Sequence, residues 1–293
     1  MTIGEIQRNK RITISFEVFP PKSDASLSAT IDVARQLDSL GPDFISVTWG
    51  AGGTSSGRTV EISRRIAALG RPALAHLTCV GSTVESVRRT ASELKAAGVE
   101  NILALRGDFP PDDAERRLDP ALAHASDLCA ILKAEGFCVG AACYPEGHPE
   151  CANRDEDIDN MVKKVEAGAD FLVTQMFFDN NMLYSYLFRL KKRGVHLPVH
   201  AGIMPVTSAR QVSRMVRLSN AYVPAKLLTF CDKFADDPAA MRQAGVAYAT
   251  DQIIDLIGNG VSGIHLYTMN KPEVTRDIIR NVDAIVGAVN AGR

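Results

Sequence analysis

No stretch of this chain reaches the run of about 18 apolar residues that a bilayer-spanning helix requires, and its opening, MTIGEIQRNKR, lacks the apolar core of a secretory signal. The expected location is cytoplasmic, with no membrane partner. An excess of one charge is missing as well. With 33 basic against 34 acidic residues the net charge is −1, which provides no broad positive field for a phosphate backbone, so nucleic acid is not an expected partner. The six cysteines, Cys79, Cys129, Cys138, Cys143, Cys151 and Cys231, show no C-x-x-C pair. A chain with a large core needs no disulfide staples, so most of them read as small buried hydrophobes. A nucleotide fingerprint is absent too. The segment GAGGTSSG, Gly50 to Gly57, carries Ser55 where G-x-G-x-x-G needs its third glycine, and no P-loop occurs.

What the chain does carry is one repeated unit: a short apolar run that stops on a polar or ionisable residue, followed by a helical pattern. Eight runs can be counted: Ile12 to Phe19, Phe44 to Trp49, Ala73 to Thr78, Ile102 to Arg106, Phe137 to Tyr144, Phe171 to Phe177, Leu197 to Ile203 and Ser262 to Tyr267. They are apolar on consecutive positions, as strands covered on both faces are. Helical periodicity fills the gaps at Ser26 to Leu40, Arg58 to Leu69, Thr83 to Ala97, Ala121 to Glu135, Glu156 to Ala167, Met182 to Arg193, Ser208 to Leu218 and Glu273 to Val289. Gly70, Gly98, Gly136, Gly168 and Gly194 stand where a helix ends on a residue of positive φ. The pattern predicts an α/β fold, a (β/α)8 TIM barrel. At 293 residues, with 46% hydrophobic and 23% charged, the chain fits one such barrel of about 250 residues as a single domain over 1–293. The connection between strands seven and eight, Met204 to Val261, is longer than the rest and is expected to hold extra helices around Ala225 to Phe234 and Pro238 to Ile257.

A barrel of this kind carries its chemistry at the carboxyl ends of its strands. Those ends hold Glu17, Thr48, His76 with Thr78, Asp108, Tyr144 with Glu146, Gln175, and Tyr267 with Asn270. Glu17 lies in SFEVFPP, among apolar neighbours and before two prolines. Two readings of it stand side by side: a partly desolvated carboxyl whose raised pKa suits a general acid, and a carboxylate paired with a nearby Arg or Lys. In ILALRGDFPP, Gly107 permits close backbone approach to a ligand, and Arg106 can neutralise a phosphate or pair with Asp108. An adhesive Arg-Gly-Asp would need an extracellular loop, which nothing in the chain supports. His76, Cys79, Cys143, His148 and Cys151 are metal-ligating types, but their spacing matches no compact site, so no metal is expected.

Taken together, SFEVFPPK, FISVTWGAGG, HLTC, ALRGD, YPEGHPE, DFLVTQMFFD and HLYTMNK resemble the methylenetetrahydrofolate reductase family in its short bacterial form. The match runs in order along nearly the whole chain, one segment at each of seven strand ends. The resemblance implies a flavin-dependent barrel that reduces 5,10-methylenetetrahydrofolate to 5-methyltetrahydrofolate with NADH or NADPH, in a ping-pong reaction through FAD. It implies that Glu17 is the general acid that opens the folate ring to an iminium at N5, and that Asp108 tunes both hydride steps by its charge. Gln175 would orient the folate. FAD contacts would fall on Trp49, Ala51, His76, Arg106, Gly107, Asp108, Ala125, Tyr144, His148, Asp157, Asn160, Lys163 and Lys164, and Thr48 would meet the nicotinamide nucleotide. Lys163, Lys164 and Arg106 supply the positive charge a diphosphate needs where no glycine-rich loop exists.

The chain also departs from the family's pattern. Trp49 stands where a tyrosine is common, and Lys163 where an arginine is found. Lys271 stands where an arginine can bind substrate, with a bidentate fork lost. Met215 takes the place of an aromatic residue that covers substrate in some members. Lys271 and Met215 are nevertheless the expected substrate contacts beside Gln175 and Asp108. Tetrahydrofolate derivatives and a nicotinamide nucleotide are the expected small-molecule partners, and a homo-oligomer is expected as in the family. Three rival readings are a flavin-free member that passes hydride directly to the folate, a redox-inactive folate- or flavin-binding barrel, and a pterin methyltransferase barrel. The last lacks any corrinoid or zinc-thiolate motif in this sequence.

Overall fold

A computed structural model describes residues 1–50, 56–109, 118–212, 215 and 221–292. Eight strands, β1 (Thr13–Val18), β2 (Phe44–Val47), β3 (Ala73–Thr78), β4 (Asn101–Leu105), β5 (Cys138–Cys143), β6 (Phe171–Thr174), β7 (Val199–Ile203) and β8 (Gly263–Tyr267), close in chain order into a parallel barrel. Between them run α2 (Leu27–Asp38), α3 (Ser56–Ala68), α4 (Val84–Ala96), α5 (Ala125–Ala134), α6 (Arg154–Glu166) and α7 (Asn180–Lys192), each crossing back over the sheet as parallel strands require. The expected cap glycines Gly70, Gly98, Gly136, Gly168 and Gly194 all have positive φ.

Strand side chains alternate between two environments. Outward residues such as Phe16, Val18, Ile45, Val47, Ala75, Leu77, Ile102 and Leu172 join the helices in one large core. Inward residues divide by depth. Phe44, Leu74, Leu103, Cys138, Phe171 and Val173 make an apolar plug, but Ser15, Ser46, His76, His200 and His265 are also buried inside the barrel. The strands are covered on both faces, as their composition indicates, yet their interior is partly polar.

A helix that periodicity did not single out, α1 (Ile3–Asn9), closes the amino-terminal end of the barrel. Thr2 and Glu5 form a capping box at its start. Ile3, fully buried, joins the interior plug, its backbone N–H donates to Asn101 Oδ1 at 2.7 Å, and the side-chain amide of Gln7 meets His200 Nε2 at 2.6 Å. The S/T-x-x-E signature is present in the sequence, but a helix of 7 residues, about two turns, is too short to show a period.

The long connection from β7 to β8 is helical as expected, with α8 (Ala225–Lys233) and α9 (Pro238–Gly258), and helical backbone at 209–212 and 215. The remainder of the expected Ser208 to Leu218 helix lies outside the described residues. Met176, Phe178, Val206, Met215, Leu227, Cys231 and Met241 pack there as a second apolar cluster beside the carboxyl mouth. The last helix, α10 (Pro272–Ala291), returns Asn290 to β1, where its Oδ1 accepts from the backbone of Arg11 and Ile12. No helix among the described residues is long and apolar enough to cross a membrane. Cys79, Cys129, Cys138, Cys143 and Cys231 are buried free thiols, and Cys151 is half-buried. Replacing the plug residue Ile3 by alanine is expected to cost about 2 to 5 kcal/mol, because it leaves a cavity under a barrel floor that cannot collapse; urea denaturation of Ile3→Ala against the parent chain checks this.

Candidate active site

A cavity of about 420 Å³ opens at the carboxyl ends of the strands. It is lined by Glu17, His76, Arg106, Gly107, Asp108, Ala125, Tyr144, His148, Asp157, Asn160, Lys163, Lys164 and Gln175, residues contributed by five strand ends and the two helices α5 and α6. Residues more than 150 positions apart in the chain thus meet in one place.

The floor is built on β1, β3 and β8. Glu17 Oε2 lies 3.5 Å from His265 Nε2 and 3.7 Å from His76 Nε2, with its side chain 17% exposed. Neither Arg nor Lys approaches it within ion-pair distance among the described residues, so the paired-carboxylate reading of the sequence has no partner; two buried imidazoles stand there. His265 Nδ1 is 2.8 Å from Ser15 Oγ, which also reaches the Ile264 carbonyl at 3.2 Å. Serine has one proton to give. When Ser15 donates to Ile264, His265 carries its proton on Nδ1 and offers a bare Nε2 that suits a protonated Glu17. When Ser15 donates to His265, Nε2–H faces Glu17 and suits the carboxylate. Ser46 Oγ also lies 3.5 Å from His265 Nε2, so that nitrogen has a second neighbour beside Glu17.

His76 is buried at 5% exposure, and among the described residues its Nε2 has no hydrogen-bond partner, the Glu17 carboxylate lying 3.7 Å away. Desolvation holds its pKa down to about 4, against the opposing pull of the Glu17 charge. A neutral imidazole with an unused polar atom in the cavity wall is a group waiting for a ligand. Tyr267 covers the far side. Its hydroxyl donates to the Thr174 carbonyl at 2.6 Å, and it lies where Gly202 has no side chain, since a Cβ there would sit 2.6 Å from Tyr267 Cε2.

One wall carries the cations Arg106, Lys163 and Lys164 interleaved with the acids Glu150, Glu156 and Asp157. Arg106 forks onto Glu150, with Nη2 at 3.0 Å from Oε1 and Nη1 paired with Oε2, and its Nε donates to the Gly107 carbonyl. Gly107 has φ 82, and a Cβ there would sit 3.0 Å from Thr78 Cβ, so both conformation and space demand glycine. Asn153 caps α6 by accepting from the N–H groups of Asp155 and Glu156. The helix then presents Asp157, Asn160 and Lys164 on one face at helical spacing. Lys163 donates to Asn160 Oδ1 at 3.0 Å and Lys164 to the Ala142 carbonyl at 2.9 Å. Desolvation lowers the Lys164 pKa and raises that of Asp157. His148 is also shifted down, first by burial and then by the Arg106 charge. Its ring meets Tyr144 edge-on at 4.7 Å.

Gln175 Oε1 accepts from the Met176 N–H at 2.9 Å, which leaves its amide N–H groups as the donor end. The remaining expected contacts, Thr48, Trp49, Lys271 and Met215, are not among the residues that line this cavity. Thr48 and Trp49 follow the end of β2; the Thr48 carbonyl accepts from Thr59 Oγ1, and the buried Trp49 Nε1 has no partner among the described residues. Lys271 Nζ donates to Thr207 Oγ1 at 3.1 Å, and Met215 is buried in the second apolar cluster. Ala51, with most of GAGGTSSG, lies outside the described residues. The sequence did not single out Ser15, His265 or Glu150, and it marked Tyr267 only as a strand-end residue. The first two sit two residues from a site residue or strand end with a polar side chain inside an apolar run, and that parity was the available signal. Among the described residues no group of three or more His, Cys, Asp or Glu is arranged to hold a metal ion.

A carboxyl on the barrel floor, below a wall where Arg106, Lys163 and Lys164 stand among acidic neighbours, defines a barrel with an enzyme-like site. A family model described as methylenetetrahydrofolate reductase matches residues 2–283. The 5,10-methylenetetrahydrofolate reductase of Pectobacterium carotovorum subsp. carotovorum is 34% identical over 94% of this chain and 90% of its own length. That of Escherichia coli K12 is 33% identical, over 94% and 91%. Methylenetetrahydrofolate reductase (NADH) 1 of Arabidopsis thaliana is 30% identical over 97% of this chain, which spans about half of the plant protein. The chain belongs to the methylenetetrahydrofolate reductase family, as its motifs indicated. Among solved structures, an uncharacterized Clostridium thermocellum protein that binds two copies of 5-methyl-5,6,7,8-tetrahydrofolic acid shares the fold at 12% identity and TM-score 0.64, covering 98% of this chain and 100% of its own. Xanthomonas albilineans dihydropteroate synthase follows at 18% identity and TM-score 0.53, covering 94% and 93%.

The buried histidines generate a pH dependence of stability. Desolvation holds His76 to about 4 and His200 to about 3, against an ordinary 6.5. Below 6.5 the unfolded chain takes up protons that the folded chain refuses, so stability is full above that pH and falls as pH drops towards 4. For the pair the loss between about pH 7 and about pH 5 is roughly 3 to 4 kcal/mol. Urea midpoints at the two pH values measure it, and His200→Gln should remove about half of the slope.

Proposed function

We propose that this protein reduces 5,10-methylenetetrahydrofolate to 5-methyltetrahydrofolate with NADH or NADPH, through a bound FAD, with Glu17 as general acid. The observation that carries the reading is the position of Glu17, on the cavity floor beside two buried imidazoles and below the wall that carries Arg106, Lys163 and Lys164. Family membership supports the reaction class.

The residues present fit a flavin dinucleotide. Arg106, Lys163 and Lys164 match a diphosphate in charge, Asn160 and His148 add polar contacts, and the unpartnered His76 Nε2 offers a site for a polar ring atom. FAD bound there supplies a two-electron carrier, so that the nicotinamide nucleotide and the folate take turns at the same mouth. The chain's own residues do the rest. Glu17 gives its proton to the folate nitrogen N10, which leaves the methylene bridge and generates the electrophilic iminium at N5. Ser15 holds His265 beside Glu17. Asp108, exposed at the cavity rim, places a negative charge near that cation. Gln175 turns its amide donors to the pterin, and Lys271, in the turn that follows β8, is a further substrate contact.

A purified protein that is yellow, bleaches with NADH in the absence of oxygen and recovers its colour on addition of methylenetetrahydrofolate has both half-reactions. A colourless protein that oxidises NADH only when the folate is present transfers hydride directly. Binding without either reaction would leave a redox-inactive barrel. Glu17→Gln is expected to slow the folate half-reaction about 10²- to 10⁴-fold, roughly 3 to 5 kcal/mol, while the NADH half-reaction survives. Stopped-flow absorbance separates the two. Arg106→Ala should weaken flavin binding by about 1.5 to 3 kcal/mol, the worth of hydrogen bonds to a charged group, as read by fluorescence titration of the apoprotein.

A further inference from the structure

Among the described residues, two that are not glycine occupy the left-handed region of backbone space, and they are consecutive: Met269 at φ 51 and Asn270 at φ 53. Both lie in the turn that leaves β8 for α10. Side chains avoid this region, and such turns persist where surrounding bonds over-determine them. Here three side-chain bonds run to the end of β1, and the others close the turn on Thr268. Asn270 Nδ2 donates to the Phe19 carbonyl at 3.0 Å and Asn270 Oδ1 accepts from the Phe19 N–H at 3.1 Å, so one amide grips both polar groups of one backbone residue. Thr268, 3% exposed, accepts from the Asn270 N–H at 3.1 Å and donates its hydroxyl proton to the carbonyl of Glu17 at 2.5 Å.

The strand end needs this grip. Phe19 is followed by Pro20 and Pro21, neither of which has an N–H with which to anchor the chain, and Phe19 itself is 39% exposed. β2 holds β1 as far as Val18, whose carbonyl accepts from the Thr48 N–H at 3.0 Å, so beyond that point the strand end that follows Glu17 is held from the β8 side. We propose that Thr268 and Asn270 are positioning residues, whose strained turn clamps the end of β1 and sets the Glu17 carboxyl at its distance from His76 and His265. The same turn leads directly into Lys271. This rests on the reading of Glu17 as the general acid.

The test compares Asn270→Gly, Thr268→Val and Thr268→Ser with the parent holoenzyme. Glycine tolerates the left-handed backbone and removes only the amide; valine keeps the shape of Thr268 and removes the hydroxyl, which serine restores. Melting temperature, flavin content and both half-reactions are measured, the folate half-reaction across pH. The titratable groups that face Glu17 are His76 and His265 at contact distance and Tyr267 by charge, and none of them is altered. A displaced carboxyl is expected to slow the folate half-reaction about 10- to 100-fold in Asn270→Gly and Thr268→Val and to move its pH profile. The NADH half-reaction and flavin content stay at the parent values, and Thr268→Ser recovers both rate and profile. Equal slowing of both half-reactions would overturn the proposal. So would a lowered melting temperature with an unchanged folate rate and pH profile. If the parent protein itself fails to reoxidise its reduced flavin with methylenetetrahydrofolate, the reading of Glu17 fails, and the inference fails with it.

Discussion

The seam between β1 and β8 is the constraint on which the rest of the molecule depends. Closing eight parallel strands leaves no free sheet edge, and it is the register of this last pairing, Ser15 opposite His265 and Glu17 opposite Tyr267, that assembles the acid and its supporting groups. Because side chains alternate along a strand, a slip of one residue would turn Glu17 into the helix-facing core and bring Phe16 or Val18 into the cavity. The amino-terminal end of the seam is secured by Asn290 from the last helix and the carboxyl-terminal end by Thr268 and Asn270. Residues some 250 positions apart in the chain are thereby held to within a hydrogen bond of each other.

The barrel interior trades stability for a reactive site. A uniformly apolar interior would avoid the burial of His76, His200 and His265, two of which are held neutral far below their ordinary range. His200 is satisfied by Gln7 and Thr13 near the floor, whereas His76, at the cavity, has an unused Nε2. Satisfaction therefore decreases towards the mouth. The wall above shows the same tension, because Arg106, Lys163 and Lys164 each have a local hydrogen-bond acceptor in Glu150, Asn160 or Ala142. An anionic ligand there must compete with contacts already made, which favours a ligand carrying more than one negative charge.

Much of the fold was legible because its signals are local. The apolar runs, their polar stops and the glycines after each helix are set by short-range sterics and burial, and they reported the strands, the helices and the carboxyl-end location of the site. Helix α1 escaped because seven residues cannot display an amphipathic period, although Thr2 and Glu5 announced its cap. The polar interior escaped for a different reason. Ser15, Ser46 and His265 lie in runs that read as apolar, and only the knowledge of which parity faces inward separates them from residues packed under the helices. Which of the two readings of Glu17 holds was likewise a matter of which side chains the neighbouring strands bring to it.

By itself the sequence determined the number and order of the strands, the caps between them, the residue types at their ends and the family to which those motifs belong. Each of these is written in stretches of a few residues, where backbone sterics and hydrophobic periodicity act. The tertiary structure alone decided which of those ends meet. Glu17 stands beside His76 and His265 because strand order and register bring β3 and β8 to the same depth as β1, and distance between side chains, on which every proton transfer and ion pair depends, is a property of the closed barrel that no local pattern encodes.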